Sequence, residues 1–145
     1  MAKMQVELVT AEERKVSGEA DFVKAPGIDG ELGILPRHIP LMTPLRAGEV
    51  LVRNDGQDEY LFVAGGFLQV LPDKVVILAD SAERAEEIDE ARAEEARRRA
   101  QEALQRKDIS PDEAAALAAA LERAIFRIRV AELRRRRRPG APEVR

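Results

Sequence analysis

The sequence contains no cysteine and no tryptophan, a single histidine, and aromatic residues at only 3%. Without cysteine there are no disulfides and no thiolate metal sites, and one histidine excludes a histidine-rich metal cluster. The scarcity of aromatics means that any core is aliphatic and alanine-based. No run of roughly 18 apolar residues occurs, and no charged-then-apolar leader opens the chain. A soluble protein is therefore expected, with membrane association only through a partner. Charge of one sign is also missing. Charged residues make up 35% of the chain, yet the net charge is −3, so nonspecific adhesion to nucleic acid is not implied.

What is present changes character near residue 81. Eight of the nine glycines and five of the eight prolines come before it. Between them lie short β-type runs: MQVELVT alternates over residues 4–10, and LFVAGGFLQVLP and DKVVILAD are apolar strands split by turn residues. NDGQ, residues 54–57, places an Asp-Gly turn between EVLVR and EYLFV, the strongest hairpin signal. Many short strands without a helical period predict an antiparallel sandwich or barrel.

Beyond residue 81 no glycine appears until Gly140, and the strong helix formers Ala, Glu, Arg and Leu dominate. Asp80 with Glu83, and Ser110-Pro111-Asp112-Glu113, are capping-box patterns. They predict helices over 82–106 and 111–137, joined by KDIS as an antiparallel hairpin. The second helix carries the stripe Leu117, Leu121, Ala124, Ile128 and Ala131. The first has a thinner one: Ala85, Ile88, Ala96, Ala100, Ala103 and Leu104. An alanine methyl contributes about 0.8 kcal/mol at most when buried, against ~1.5–3 for Leu or Ile, so the hairpin is marginal on its own. The expected class is α+β: an N-terminal antiparallel β-sandwich over 1–85, an α-helical hairpin over 86–138 and a flexible tail over 139–145.

Charge flanks this thin seam. In IDEARA, residues 88–93, Asp89 and Arg92 sit beside the alanine stripe, with Arg99 one heptad on; Arg123 and Arg127 flank Ala124 and Ile128. One reading is ordinary surface ion pairing, worth ~0–1 kcal/mol per pair. The other is a polyanion site, because clustered guanidinium groups grip phosphate bidentately. Periodicity leaves both open.

GELGILPRHIPLMTPL, residues 30–45, and GGFLQVLPDKVVILAD, residues 65–80, resemble the two signature stretches of the epsilon subunit of bacterial F-type rotary ATP synthase. The resemblance runs from about Val6 to Leu133. It implies a β-sandwich followed by a two-helix hairpin in a non-catalytic rotor-stalk subunit. The implied partners are the gamma subunit and the c-ring, with the beta subunit reached when the hairpin extends and inhibits ATP hydrolysis. The implied location is peripheral, at the cytoplasmic face of the bacterial cell membrane. IDEARA is similar to the motif through which some members hold ATP in the folded hairpin. That similarity implies an ATP site of Ile88, Asp89, Arg92 and Ala93, with Glu83 and Arg99 beside them and Arg123 and Arg127 on the second helix. Asp89 would receive the adenine amine, Ala93 would leave room for the base, and the arginines would meet the phosphates. ATP would act as a regulatory ligand, not hydrolysed, with no metal required by the sequence.

Other features have plainer readings. Gly65-Gly66 lacks the Lys-Ser/Thr of a Walker loop and reads as a tight turn or bulge. His38 has no Ser or Cys nucleophile nearby and reads as structural or interfacial. Glu31 resembles the family's loop residue facing the c-ring. The run Arg134–Arg138 suggests nucleic acid or acidic lipid, but residues 86–145 hold 15 basic and 13 acidic groups, so its charge is local; an extended hairpin would carry it to acidic beta-subunit surface. An RNA-binding or helical-adaptor module built on that run is the alternative, as is the same subunit without physiological ATP binding. A nucleotide-hydrolysing enzyme is disfavoured: no general base, metal-carboxylate pair or Walker lysine accompanies the arginines.

Overall fold

The computed structural model describes residues 2–136, and the chain divides into two compact units, Met1–Ala85 and Glu86–Arg145. In the first unit the alternating apolar runs become strands: β1 Met4–Val9, β2 Arg14–Ala20, β3 Phe22–Gly27, β4 Gly30–Ile34, β5 Leu41–Leu45, β6 Gly48–Asn54, β7 Gln57–Val63, β8 Gly66–Leu71, β9 Lys74–Ala79 and β10 Ala82–Arg84. They form one sheet in the order β10-β7-β6-β3-β5-β8-β9-β1-β2, with β4 also paired to β3. Val6 and Leu8 of β1 share a buried cluster with Val50 of β6 and Leu61 and Val63 of β7. Strands from opposite ends of the path thus meet in one core, and the sheet packs on itself as a sandwich. Every paired ladder is antiparallel except β1 with β9, where Val6 lies beside Val75 and Leu8 beside Ile77.

Two turns show why the chain reverses where it does. Between β6 and β7, Asp55 and Gly56 both take positive φ, 52° and 77°, the type I′ geometry that matches strand twist. Lys3 pins this turn through ion pairs with Asp21 at 3.1 Å and Asp55 at 2.6 Å. The Asp55 amide and then the Lys3 ammonium hold the Asp21 carboxyl below its ordinary pKa. Its stabilising contribution is accordingly present at neutral pH and lost as pH falls through that lowered value. At the start of β8, Gly65 and Gly66 have φ of 128° and 134°. Gly66 lies against β9 so closely that an added Cβ would stand 2.1 Å from the Leu78 carbonyl oxygen. The sequence indicated a tight turn or bulge here; the backbone bends at Gly65 and enters β8 at Gly66.

The second unit corrects the first helix. Residues 82–84 are not its opening turn: Ala82, Glu83 and Arg84 pair with Val63, Phe62 and Leu61 of β7. The hydrogen bonds of an open sheet edge outweigh their helix propensity, and the Asp80/Glu83 capping box does not form. A 3-10 turn over Ala85–Glu87 follows, then α1, Glu90–Leu104. Its N-cap is Asp89, whose Oδ1 accepts the Arg92 amide at 3.2 Å. The second helix, α2, spans Pro111–Arg136, and the Ser110 hydroxyl oxygen accepts the Glu113 amide at 3.1 Å. Residues 137–145, with Arg137, Arg138 and the expected tail, lie outside the described residues.

The α2 stripe is buried or half-buried as its spacing predicts, with Val130 added. On α1 the stripe is shifted. Ala96 is exposed, and the seam runs through Ala93, Arg97, Ala100 and Leu104. Beginning α1 at Glu90 rather than at residue 82 accommodates this rotation, because Ala85 and Ile88 precede the helix and do not set its phase.

Candidate functional site

The hairpin holds most of the residues expected to grip an anion. Ile88 and Ala93 are buried at 8% and 0% exposure, while Asp89, Arg92, Arg99 and Arg123 are exposed and Arg127 is half-buried. Glu83 lies on β10, in the sandwich unit. Asp89 works first as a cap, because a carboxylate here satisfies an orphan amide of the first turn and favours the positive end of the helix dipole.

The cross-helix register follows from ion pairs at the open end of the hairpin. Arg135 Nη2 meets Glu90 at 3.0 Å, and Arg134 Nε approaches Glu86 at 3.6 Å. Counting along antiparallel helices from Glu90 and Arg135, Ala131 faces the level of Ala93 and Ala124 that of Ala100. Arg127 then stands level with Arg97 and Arg98, and Arg123 near Glu102. From Asp89 to the level of Arg123 is about 20 Å at ~1.5 Å per residue. The arginine backbones are distributed along the hairpin and do not converge on one carboxylate, an arrangement suited to an elongated ligand more than to a compact ion.

The arginines differ in what already occupies them. Arg97 meets Glu94 at 2.7 Å, Arg98 meets Glu102 at 3.3 Å, and Arg99 meets Glu95 at 2.7 Å. The Arg129 guanidinium lies 5.3 Å from the Phe126 ring centroid. No carboxylate of the described residues pairs with the side chain of Arg92 or Arg123. Arg99, by contrast, already holds Glu95. Arg97 was missed by sequence reasoning. It sits in the seam with its Nε buried and without a hydrogen-bond partner, and placing the stripe on Ala93 instead of Ala96 would have exposed its position.

The sandwich carries a different kind of surface. In β8 and β9 the inward residues Leu68, Val70, Val75 and Ile77 are fully buried. On the outward face Phe67 lies opposite Leu78 across the β8/β9 ladder and opposite Pro44 across β5/β8. Met42, Phe67 and Leu78 are 67%, 55% and 56% exposed. Exposed Ile28, Leu35 and Ile39 mark a second apolar region in the turns around β4. Glu31 is exposed on β4, 3.8 Å from Lys24, which sits closer to Glu49 at 3.0 Å. His38 lies in the loop after β4 and its Nδ1 is 2.7 Å from the Ile39 carbonyl oxygen. No hydrogen bond or ion pair joins Glu31 to His38 among the described residues. Among the described residues no group of acidic or histidine side chains is arranged to hold a metal, and no helix is long and apolar enough to cross a membrane.

Known proteins share these features. Residues 3–85 match the family described as the ATP synthase delta/epsilon chain β-sandwich domain, and residues 86–132 match its long α-helix domain. The ATP synthase epsilon chain of Dehalococcoides mccartyi is 53% identical over 136 residues, which cover 94% of this chain and 97% of that one. The epsilon chain of Herpetosiphon aurantiacus is 49% identical over 134 residues, covering 92% and 98%. A chain in the cryo-EM structure of Euglena gracilis mitochondrial ATP synthase (OSCP/F1/c-ring) superposes with a TM-score of 0.75 at 26% identity, over 92% of this chain and 82% of that one. A chain of the Tetrahymena thermophila central stalk and c-ring has a TM-score of 0.58 at 14% identity, over 89% and 96%, and shows the shared fold alone.

Proposed function

Because this chain belongs to the ATP synthase delta/epsilon family, as an epsilon subunit, we propose that it couples the gamma subunit to the c-ring and restrains ATP hydrolysis through its C-terminal hairpin. The epsilon subunit is a non-catalytic part of the central stalk of F-type ATP synthase, so partner contact and conformation are its means of action. In this reading the sandwich attaches to the rotor at the cytoplasmic face of the bacterial membrane. The folded hairpin holds ATP, and the extended hairpin reaches acidic surface on the beta subunit.

The observation that carries the coupling role is the apolar outer face of β5, β8 and β9. Contiguous exposed apolar side chains on a sheet otherwise fringed with charge mark a protein-binding surface. Phe67 and Leu78, paired across the ladder, are its centre, where binding energy concentrates. The regulatory role is supported by Arg92 and Arg123, which have no carboxylate partner among the described residues and flank a seam that alanine holds only weakly.

Two variants test attachment. A chain ending after Ala85 keeps the whole sandwich, including the β10 ladder, and should still co-purify with the complex. Phe67→Ser with Leu78→Ser replaces outward side chains without opening the core. It should keep the fold by circular dichroism yet weaken gamma-subunit binding by at least about a hundredfold, on the basis of ~1.5–3 kcal/mol per large apolar side chain. Undiminished binding of that double variant would move the attachment surface elsewhere.

A further inference from the structure

The arginine run at the end of α2 has a role in the folded hairpin as well as in any extended one. Glu86 lies in the 3-10 turn before α1 and Glu90 is the first residue of α1. They meet Arg134 and Arg135, more than forty positions along the chain, at 3.6 and 3.0 Å. The other arginine–carboxylate pairs of the hairpin described above, Arg97–Glu94, Arg98–Glu102 and Arg99–Glu95, each stay within α1. A pair inside one helix survives when two helices separate, so it contributes nothing to the choice between closed and open forms. A pair that crosses between helices contributes its whole energy to that choice.

We propose that Glu86–Arg134 and Glu90–Arg135 form an electrostatic clip that holds the hairpin closed and must break before the same arginines can engage an acidic partner. The proposal rests on the extendable hairpin described under the proposed function. It makes opening an exchange of carboxylates: internal glutamates give up Arg134 and Arg135, and acidic side chains of a protein partner take them. Near the clip the buried side chains are Ile88 just before α1, Ala93 on α1, and Val130 and Ala131 on α2, so the two helices meet there largely through alanine and the packing is modest. Each exposed pair is worth little by itself, but a marginally closed element responds to small biases. Removing the arginines weakens both forms at once and conceals the clip. Removing the glutamates weakens only the closed form.

The test uses the full chain, whose lack of native cysteine allows spin labels on cysteines placed at exposed Ala91 and Ala118. Glu86→Gln with Glu90→Gln should raise the ratio of long to short label distances about threefold to tenfold at low salt, as expected for two exposed pairs. The difference should collapse at 1 M salt, where the Debye length is about 3 Å. Glu102→Gln, which breaks a pair confined to α1, should leave the ratio unchanged. In the assembled enzyme at low ATP, the double variant should hydrolyse less ATP than wild type, because the inhibitory form is released more easily. Opening that is equal in wild type and the double variant overturns the clip alone. A single short distance in every chain, with or without ATP, overturns the clip together with the extendable hairpin.

Discussion

Gly66→Ala should cost the sandwich about 4 kcal/mol or more, placing it among the severe single substitutions. Two effects add. The backbone at Gly66 has φ of 134°, a conformation that side-chain-bearing residues rarely adopt. A Cβ there would also stand 2.1 Å from the Leu78 carbonyl oxygen and 2.8 Å from the Ala79 Cα. Both contacts are with β9 backbone, which cannot rotate away as a side-chain tip can. Relief would require β8 to part from β9 at Gly66 and Ala79, where the ladder begins. With domain stabilities of about 5–15 kcal/mol and ~4–8 °C per kcal/mol for a unit of this size, thermal melting of residues 1–85 should fall by 15 °C or more. Gly18→Ala is the matched control, since its added Cβ meets nothing within 4 Å, and it should melt within a degree or two of wild type. Parallel melting of Gly66→Ala and wild type would show that the close approach is not obligatory.

Millimolar ATP should raise the helical melting transition of the isolated protein by roughly 10 °C, and ADP by much less. A ligand that binds only the closed hairpin stabilises it by about 2.7 kcal/mol at a hundredfold above Kd, which moves a balanced equilibrium to roughly 99:1. The structure sharpens which substitutions to compare. Arg92 and Arg123 have no carboxylate partner among the described residues, so Arg92→Ala and Arg123→Ala should leave the ATP-free transition nearly in place and remove most of the ATP shift. Arg99→Ala breaks the 2.7 Å pair with Glu95 and should lower both. Asp89→Ala removes the N-cap of α1 and should cost the ATP-free hairpin about 1 kcal/mol, in addition to adenine selectivity. Calorimetric titration distinguishes these variants directly. Identical wild-type melting with and without ATP would leave the arginines as a solvated helix face.

The sandwich was legible because each apolar alternation has one physical meaning: Met4, Val6 and Leu8 turn inward together or not at all. The Asp55-Gly56 turn and the Ser110 cap were equally direct, since few backbones use those residues in that order. The start of the first helix was not. Ala82, Glu83 and Arg84 are good helix formers locally, and only the distant edge of β7 draws them into a strand. The same error displaced the seam from Ala93 to Ala96 and hid Arg97. Motif resemblance found the arginines of IDEARA and its surroundings. Their spread along the hairpin required the register fixed by Arg135 and Glu90, a pairing across 45 residues that no local pattern contains.

The parallel pairing of β1 with β9 has a consequence for biogenesis. Val6 and Leu8 find their inner ladder partners only when Val75 and Ile77 have been synthesised. Until then β1 can pair with β2 on one side, leaving its other side an open edge of the kind that recruits foreign strands. Such long-range closure is slow compared with local turns and helices. The nascent sandwich is therefore exposed to misassociation almost until its last strand emerges, and the helical hairpin, made afterwards from local contacts, follows a domain that has only just closed.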